Sequence, residues 1–80
     1  MKTFRLTVAK VGENLFDGEA ISASLPGSEG VFQILANHEA FVSELKPGTM
    51  QIVTADGTTQ QFELQGGVAE VSGHQATILL

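Results

Sequence analysis

Apolar and polar residues alternate with a period of two in several segments of this 80-residue chain, and this pattern constrains the fold more than any other feature. The alternating segments are residues 4–8, 21–25, 50–52, 62–64 and 76–80. Because successive side chains of a β-strand point to opposite faces of its sheet, each segment predicts a strand with one buried face. In the second segment, the pattern places Ile21, Ala23 and Leu25 inward. It places Ala20, Ser22 and Ser24 outward.

Turn-forming residues separate these segments at intervals of about 8 to 12 residues, a spacing typical of small sandwiches and barrels. They are Gly12, Asp17-Gly18, Pro26-Gly27, Pro47-Gly48, Asp56-Gly57, Gly66-Gly67 and Ser72-Gly73. Asp56-Gly57 is the strongest hairpin indicator, and we expect a type I′ turn there, with positive φ at both central residues. Residues 38–45 are the one helix candidate, and we interpret them as a strand or a loop with one irregular turn. The sequence therefore predicts one all-β domain spanning residues 1–80, a small flattened β-sandwich or barrel of antiparallel strands.

The charge balance argues against several classes of partner. The chain carries four basic and nine acidic residues, a formal net charge of −5, with no basic residue between positions 11 and 45. Nucleic-acid binding needs a basic stripe that displaces counterions, and anionic lipid surfaces attract basic residues in the same way. The apolar runs are far shorter than the roughly 20 residues that span a bilayer. We therefore expect a soluble, cytoplasmic protein that binds no nucleic acid and does not insert into the membrane.

The residue types that catalysis requires form no pattern that indicates an active site. The chain has no cysteine, and neither of its two histidines belongs to a zinc-binding or nucleophile motif. The glycine-rich residues 27–30 contain a carboxylate where a phosphate loop would bind an anion, and no lysine follows. Acidic residues stand singly rather than as pairs in an apolar setting. The sequence predicts no enzymatic activity, no cofactor and no metal.

Two neighbours that follow Gly30 are expected to differ in burial. We expect Phe32 to belong to the core, whereas Val31, with the opposite parity, is exposed near the end of a loop. A small exposed apolar group flanked by polar residues is suited to contact with a partner. His74 follows Ser72-Gly73 in a predicted hairpin turn, and we expect it to be exposed and without a role.

Three segments occur in the order found in a known family. They are residues 25–38 (LPGSEGVFQILANH), residues 45–48 (LKPG) and residues 66–71 (GGVAEV). Together they resemble the N-terminal β-sandwich domain of the ε subunit of F-type ATP synthases, and the resemblance covers nearly all of the chain. It implies a β-sandwich that is not catalytic and belongs to the rotor stalk.

The resemblance also implies partners and contact residues. The family's domain joins the γ subunit to the ring of c subunits on the cytoplasmic face of the bacterial membrane, and so couples proton translocation to ATP synthesis. The residues that match the ring-facing loop are Ser28, Glu29, Val31 and Gln33, and those that match γ-facing positions are His38, Ser43 and Lys10. His38 has a second interpretation, in which its imidazole lies in a loop and hydrogen-bonds a nearby carbonyl. This interpretation is compatible with a γ contact.

The chain departs from the family pattern at several points. Ala36-Asn37 stands where the family usually has Pro-Gly before the histidine, and asparagine tolerates the left-handed backbone that such a turn needs. The ring-facing loop of the family often carries a second acidic residue or a glycine, where this chain has Val31 and Gln33. The family usually continues into a C-terminal helical hairpin that can inhibit ATP hydrolysis and in some members binds ATP. This sequence does not include the hairpin, so it is either a naturally short form or a truncated one. We therefore expect neither helical inhibition nor a nucleotide site.

Two other classes of protein fit an all-β domain of this size. A lipoyl- or biotinyl-type carrier domain needs an exposed lysine at a hairpin tip, whereas the clearest predicted hairpin has Asp56-Gly57 and Lys46 precedes a proline. A stand-alone binding module for sugars or bases usually offers aromatic residues for stacking, and this chain has five Phe and no Trp or Tyr. The ε-type interpretation is the leading one.

Overall fold

Eight strands account for most of residues 2–80. The computed structural model describes residues 2–80, and the side chain of His38 lies outside what it describes. The strands are β1 (Phe4–Lys10), β2 (Glu13–Gly27), β3 (Gly30–Leu35), β4 (His38–Leu45), β5 (Gly48–Thr54), β6 (Thr59–Leu64), β7 (Gly67–Gly73) and β8 (Gln75–Leu79). No helix occurs within residues 2–80. Residues 38–45, interpreted as a strand or a loop with one irregular turn, form a strand with a register irregularity against β7.

The long strand β2 joins the two layers of a flattened β-sandwich. The strand order is β1-β8-β7-β4-β2-β5-β6, with β3 beside β2, and β1 also pairs with β2. The first half of β2 pairs with β1, and its second half pairs with β3 and β5. The pairings are antiparallel except for the parallel pair β1–β8. The predicted all-β sandwich is confirmed.

The core lies between the layers and consists of the inward residues of the alternating segments. Its largest fully buried side chains are Phe4, Leu6, Leu25, Ile34, Met50, Ile52, Leu64, Ile78 and Val8. No buried polar or charged residue occurs in the described part of the chain. Burial of apolar area is therefore the main term that holds the sandwich together, at roughly 25 cal/mol per Å².

A β-bulge in β2 changes the inward-facing residues from those that the alternation predicts. Ala20 was expected to face outward but is fully buried, whereas Ile21 is only half-buried. Against β5, Ala20 pairs with Thr54 and Ser22 pairs with Val53, so Ile21 is an extra residue in β2. An extra residue reverses the parity of the strand on one side of the bulge. The predicted inward positions of Ala23 and Leu25 are confirmed, and that of Ile21 is wrong.

Two of the predicted turns lie inside β2. Asp17 and Gly18 pair with Thr7 and Leu6 of β1, and the Asp17 carboxylate accepts a hydrogen bond from Arg5 at 2.6 Å, which holds the segment in the sheet. Pro26-Gly27 also continues the strand. Pairing with a neighbouring strand overrides the turn preference of these dipeptides.

The β5–β6 hairpin has a different turn from the one that Asp56-Gly57 predicts. Gly57 has φ of 88°, but Asp56 does not have positive φ, so the turn is not type I′. The Gly57 N–H donates to the Thr54 carbonyl, and the Thr54 N–H donates to the Thr58 carbonyl. This is a type I turn centred on Ala55 and Asp56, followed by a left-handed glycine, the common three-residue hairpin. Positive φ at Gly57 is confirmed and the turn type is wrong.

Candidate functional site

The β2–β3 connection is a tight exposed turn that is attached to β4. Gly27 pairs with Gly30, so Ser28 and Glu29 form the loop, and both are exposed. The Ser28 N–H donates to the Glu44 carbonyl at 2.9 Å, which connects the turn to the end of β4. A Cβ atom on Gly27 would lie 2.8 Å from the Gly30 carbonyl oxygen, so glycine is needed for this close approach. The turn is therefore packed closely between its own strands and hydrogen-bonded to β4 at one end of the sandwich.

Strand β3 presents one face to the core and one to solvent. Ile34 is fully buried and Phe32 packs against the core, as expected for Phe32. Val31, Gln33 and Leu35 point outward, and the Val31 side chain is 75% exposed. The expectation that Val31 is an exposed apolar residue is confirmed. All four residues that match the ring-facing loop of the family thus lie on one exposed turn and one exposed strand face.

A groove of about 430 Å³ separates β3 from β4. Among residues 2–80, β3 pairs with β2, whereas β4 pairs with β7. Strand β4 meets β2 only at one position, where Gly27 is opposite Leu45. Strands β3 and β4 therefore do not pair with each other in this part of the chain. The groove is lined by residues 27 and 29–32 of the hairpin and by residues 41–43 of β4. The rings of Phe32 and Phe41 meet edge to face within it, with centroids 5.3 Å apart.

The β3–β4 groove brings together residues that the resemblance assigns to different contacts. Glu29 and Val31 match ring-facing positions, and Ser43 matches a γ-facing position, yet all three line this groove. The Ser43 hydroxyl donates to the Glu44 carbonyl at 3.1 Å. Val42, which is 67% exposed, also lines the groove. One of the predicted γ contacts, Ser43, is therefore a neighbour of two predicted ring contacts at this end of the sandwich.

Lys10 lies elsewhere, at the end of β1. It borders a second groove of about 560 Å³, lined by residues 10, 11, 15, 63–66 and 80. Its ammonium nitrogen is 3.6 Å from a carboxylate oxygen of Glu13, and both side chains are more than half exposed. Such a pair contributes little to stability. Lys10 and Ser43 line different grooves.

The turn before β4 has the backbone that the sequence predicts. Asn37 has φ of 65°, the one positive φ among the described residues other than glycine, which confirms that asparagine maintains this turn. The His38 backbone starts β4 and pairs with Gly73, while its side chain, a predicted γ contact, lies outside the described structure. His74 is exposed in the β7–β8 turn, as expected. Its carbonyl accepts a hydrogen bond from the Arg5 N–H at 2.8 Å.

The titratable groups of residues 2–80 include one clearly shifted carboxyl group and no cluster that could hold a metal ion. Within residues 2–80, no three His, Cys, Asp or Glu residues come together in a way that could hold a metal ion. The clearest perturbation is at the β5–β6 hairpin, where hydrogen bonds from the Thr54 hydroxyl and the Thr58 N–H lower the pKa of Asp56 to about 2. This carboxylate stabilises a turn and lines neither groove. None of the described residues belongs to a helix long and apolar enough to cross a membrane.

Sequence reasoning did not identify the groove itself. The sequence assigns no role to Phe41 or Val42, because residues 38–45 (HEAFVSEL) show no clean alternation of apolar and polar residues. Leu35 was also missed, although it continues the outward parity of Val31 and Gln33 and is 49% exposed. The alternation along β3 could have identified Leu35 as an exposed residue. The groove depends instead on the absence of pairing between β3 and β4 within residues 2–80, and no local sequence pattern encodes it.

Comparison with known proteins gives a consistent result. The family model of the ATP synthase delta/epsilon chain β-sandwich domain matches residues 3–80. An ATP synthase epsilon chain of Bordetella petrii is 38% identical over 79 residues, which cover 99% of this chain and 56% of that one. An epsilon chain of a Bradyrhizobium species is 42% identical, with 99% and 58% covered. An epsilon chain of Chlorobium limicola is 35% identical, with 98% and 89% covered.

Solved structures share the fold. A chain of the Euglena gracilis mitochondrial ATP synthase, from a structure of OSCP, F1 and the c-ring, superposes with a TM-score of 0.90 at 25% identity, covering 96% of this chain and 49% of that one. A chain of the Tetrahymena thermophila central stalk and c-ring gives a TM-score of 0.79 at 18% identity, covering 98% and 63%, which supports the fold. This chain spans little more than half the length of several curated relatives. Because the family model covers nearly all of it, the chain belongs to the ATP synthase delta/epsilon chain β-sandwich family.

Proposed function

We propose that this chain is a non-catalytic subunit of the rotor stalk of an F-type ATP synthase, where it joins the γ subunit to the c-subunit ring. In that position it couples proton translocation to ATP synthesis. The curated relatives are ATP synthase epsilon chains, and the Euglena structure contains F1 together with the c-ring. The observation that carries the proposal is the exposed β2–β3 turn, which is hydrogen-bonded to β4 beside the β3–β4 groove.

The ring contact is proposed for the turn and the outer face of β3. Ser28 and Glu29 project from the end of the sandwich, and Val31 and Gln33 continue the same exposed surface. The hydrogen bond from Ser28 to Glu44 and the close approach at Gly27 fix the turn relative to the sheet. A surface that transmits torque must resist bending, and a turn attached to two strands does so better than a free loop.

The γ contact is proposed for β4 and for the end of β1. Ser43 lines the β3–β4 groove, His38 starts the same strand, and Lys10 borders the second groove. Because Ser43 and Lys10 line different grooves, a γ contact that includes both requires a broad surface. An interface of ordinary size, about 800 Å² on each partner, is sufficient for this on a small domain.

The same proposal gives the location of the chain in the cell and the kind of contribution that it makes to the complex. The chain would work at the cytoplasmic face of a bacterial membrane as a peripheral part of the complex, without inserting into the bilayer and without a cofactor. Its contribution is binding and rigidity, since residues 2–80 contain no metal-binding cluster and no buried charged residue.

Copurification tests the proposal directly. The tagged chain is expressed with γ and the c subunit of the same organism, and the complex is recovered from detergent-solubilised membranes. Recovery of γ and the c-ring with the chain supports the proposal. Recovery of neither, with a chain that is folded by circular dichroism, contradicts it.

The structure gives no support to the carrier-domain alternative. Lys46 is exposed, but it lies between β4 and β5, which pair with other strands rather than with each other in residues 2–80. Its N–H donates to the Pro26 carbonyl at 2.9 Å, so the lysine backbone belongs to a packed corner. A carrier lysine instead needs a hairpin tip that can reach into an active site.

A further inference from the structure

Strand β6 lies at the edge of its layer. The strand order ends at β6, which pairs with β5 on one side, and no strand of residues 2–80 pairs with its other side. An edge strand offers a row of backbone N–H and C=O groups to which another chain can pair. Natural edge strands often prevent such pairing with lysine, proline or a β-bulge. The β6 sequence TQQFEL contains no lysine or proline, and its pairing with β5 has no bulge.

The β5–β6 hairpin determines which backbone groups of β6 point away from β5. The Thr54 N–H donates to the Thr58 carbonyl, so the backbone groups of residue 58 point towards β5. Because this orientation alternates along an antiparallel pair, residues 59, 61 and 63 point the opposite way. The outer edge of β6 therefore consists of the backbone groups of Thr59, Gln61 and Glu63. The side chains of these three residues share the exposed face of the layer.

We propose that the outer edge of β6 pairs with the same edge of a second copy of this chain, antiparallel and about a two-fold axis at Gln61. In this register the two Gln61 residues lie opposite each other, and each Thr59 lies opposite Glu63 of the other copy. Every residue of the outer edge is then paired, and each pair exchanges two backbone hydrogen bonds. A two-fold contact of this kind is closed, so association stops at a dimer. The inference is independent of the proposed function.

The side chains on the exposed face fit this register. Within one chain, the Thr49 hydroxyl donates to one carboxylate oxygen of Glu63 across the β5–β6 pair. In the dimer, Thr59 of the second copy stands on the other side of the same carboxylate, so its hydroxyl can donate to the second oxygen. The Gln61 amide nitrogen donates to the Gln51 side-chain oxygen at 3.3 Å. The same contact between the two Gln61 amides continues this row from one copy to the other.

The register also keeps like charges apart. With Gln61 at the axis, the two Glu63 carboxylates are four residues apart along the paired strands, about 14 Å. That separation exceeds the Debye length of about 10 Å at roughly 0.1 M salt. A register that placed the two Glu63 residues opposite each other would be destabilised by like charges. The edge is therefore complementary to itself, which is why a second copy is the partner that it fits.

A charge swap at the axis tests the pairing. Gln61→Lys and Gln61→Glu each place like charges opposite one another, whereas an equal mixture of the two variants places opposite charges there. Gln75→Lys changes an exposed glutamine of β8, in the other layer, and serves as the matched control for added positive charge. The dimer dissociation constant of the full chain is measured by sedimentation equilibrium up to about 1 mM, because an edge contact is smaller than a stable interface.

We expect Gln61→Lys and Gln61→Glu alone each to raise the dimer dissociation constant by about fivefold. The equal mixture should restore at least the parent value, and Gln75→Lys should leave it unchanged. Amide hydrogen exchange at Thr59, Gln61 and Glu63 should slow as the concentration of the parent chain rises.

Three results would overturn the inference. The first is a parent chain that stays monomeric up to about 1 mM, including one whose edge amides become protected only when γ is added, which would assign the edge to γ. The second is a mixture of the two Gln61 variants that associates no better than either variant alone. The third is growth beyond a dimer, which would exclude a closed two-fold contact.

Discussion

The rings of Phe32 and Phe41 meet edge to face, with their centroids 5.3 Å apart and their planes at 77°. They connect β3 and β4 at the groove, where no backbone pairing joins these two strands in the described part of the chain. An edge-to-face pair contributes about 0.5 to 1.5 kcal/mol beyond the burial of its area. The shape of the groove therefore depends on this pair more than on hydrogen bonding between the strands.

A double-mutant cycle measures the contribution of this pair. Phe32→Leu, Phe41→Leu and the double variant are compared by urea unfolding, and we expect a coupling energy of about 0.5 to 1.5 kcal/mol. Strictly additive losses from the two single substitutions would show that the rings do not hold β3 and β4 together.

Gly27 should tolerate a side chain much less well than Gly18, although both lie in β2. A methyl group on Gly27 would clash with the Gly30 carbonyl and the Phe32 ring at 2.8 Å, whereas one on Gly18 makes ordinary contact with Phe16 at 3.6 Å. We expect Gly27→Ala to lower the free energy of unfolding by about 1 to 3 kcal/mol. Gly18→Ala should be neutral or stabilising by about 0.4 to 1 kcal/mol, because alanine restricts the unfolded chain. Equal effects of both substitutions on the urea midpoint would contradict the close packing of the β2–β3 turn.

The Asp56 carboxylate makes the β5–β6 hairpin sensitive to acid. Its pKa falls from 3.8 to about 2 in the folded chain, first because of the Thr54 hydroxyl and then because of the Thr58 N–H. A lowered folded pKa gives a stabilising contribution above about pH 4, which is lost as the pH falls towards 2. Thr54→Val removes the main cause and should raise the pKa of Asp56, as followed by NMR titration of its carboxyl carbon. An unchanged titration in Thr54→Val would show that this hydrogen bond does not control the carboxylate.

The strands with clean alternation were predictable from the sequence because their side-chain pattern is local. Phe4, Leu6 and Val8 are buried as the period of two requires, and Met50 and Ile52 behave in the same way. The family resemblance based on residues 25–38 assigned Ser28, Glu29, Val31 and Gln33 to one loop. In the structure Ser28 and Glu29 form the turn, and Val31 and Gln33 lie on the exposed face of β3.

The features that could not be predicted from the sequence depend on pairing between distant segments. Asp17-Gly18 has good turn chemistry, yet its pairing with β1 keeps it extended. The extra residue Ile21 becomes visible only when β2 is aligned with β5. The β3–β4 groove exists because these two strands do not pair within residues 2–80, and an absent pairing has no signature in the sequence of either strand.

A substitution at the proposed γ contact and one at the proposed ring contact should have different effects. His38→Asp places a carboxylate at the proposed γ interface, where loss of hydration is costly, and should weaken binding to γ while the chain stays folded. Val31→Asp should leave γ binding intact and reduce coupling to the ring, because Val31 is exposed on β3. Pull-down with γ and the proton-pumping efficiency of the reconstituted enzyme provide the two readings. If both variants bind and couple like the parent chain, the contact assignments are wrong even though the fold is right.

Proton pumping by a reconstituted ATP synthase tests the central claim most directly. The enzyme is assembled in liposomes without its ε subunit, and ATP-driven acidification per ATP hydrolysed is measured before and after the full chain is added. The account predicts that the chain is retained by the complex and raises the number of protons pumped per ATP, since it connects γ to the ring. A chain that is folded but is not retained, or that is retained and leaves this ratio unchanged, would contradict a coupling role in the rotor stalk.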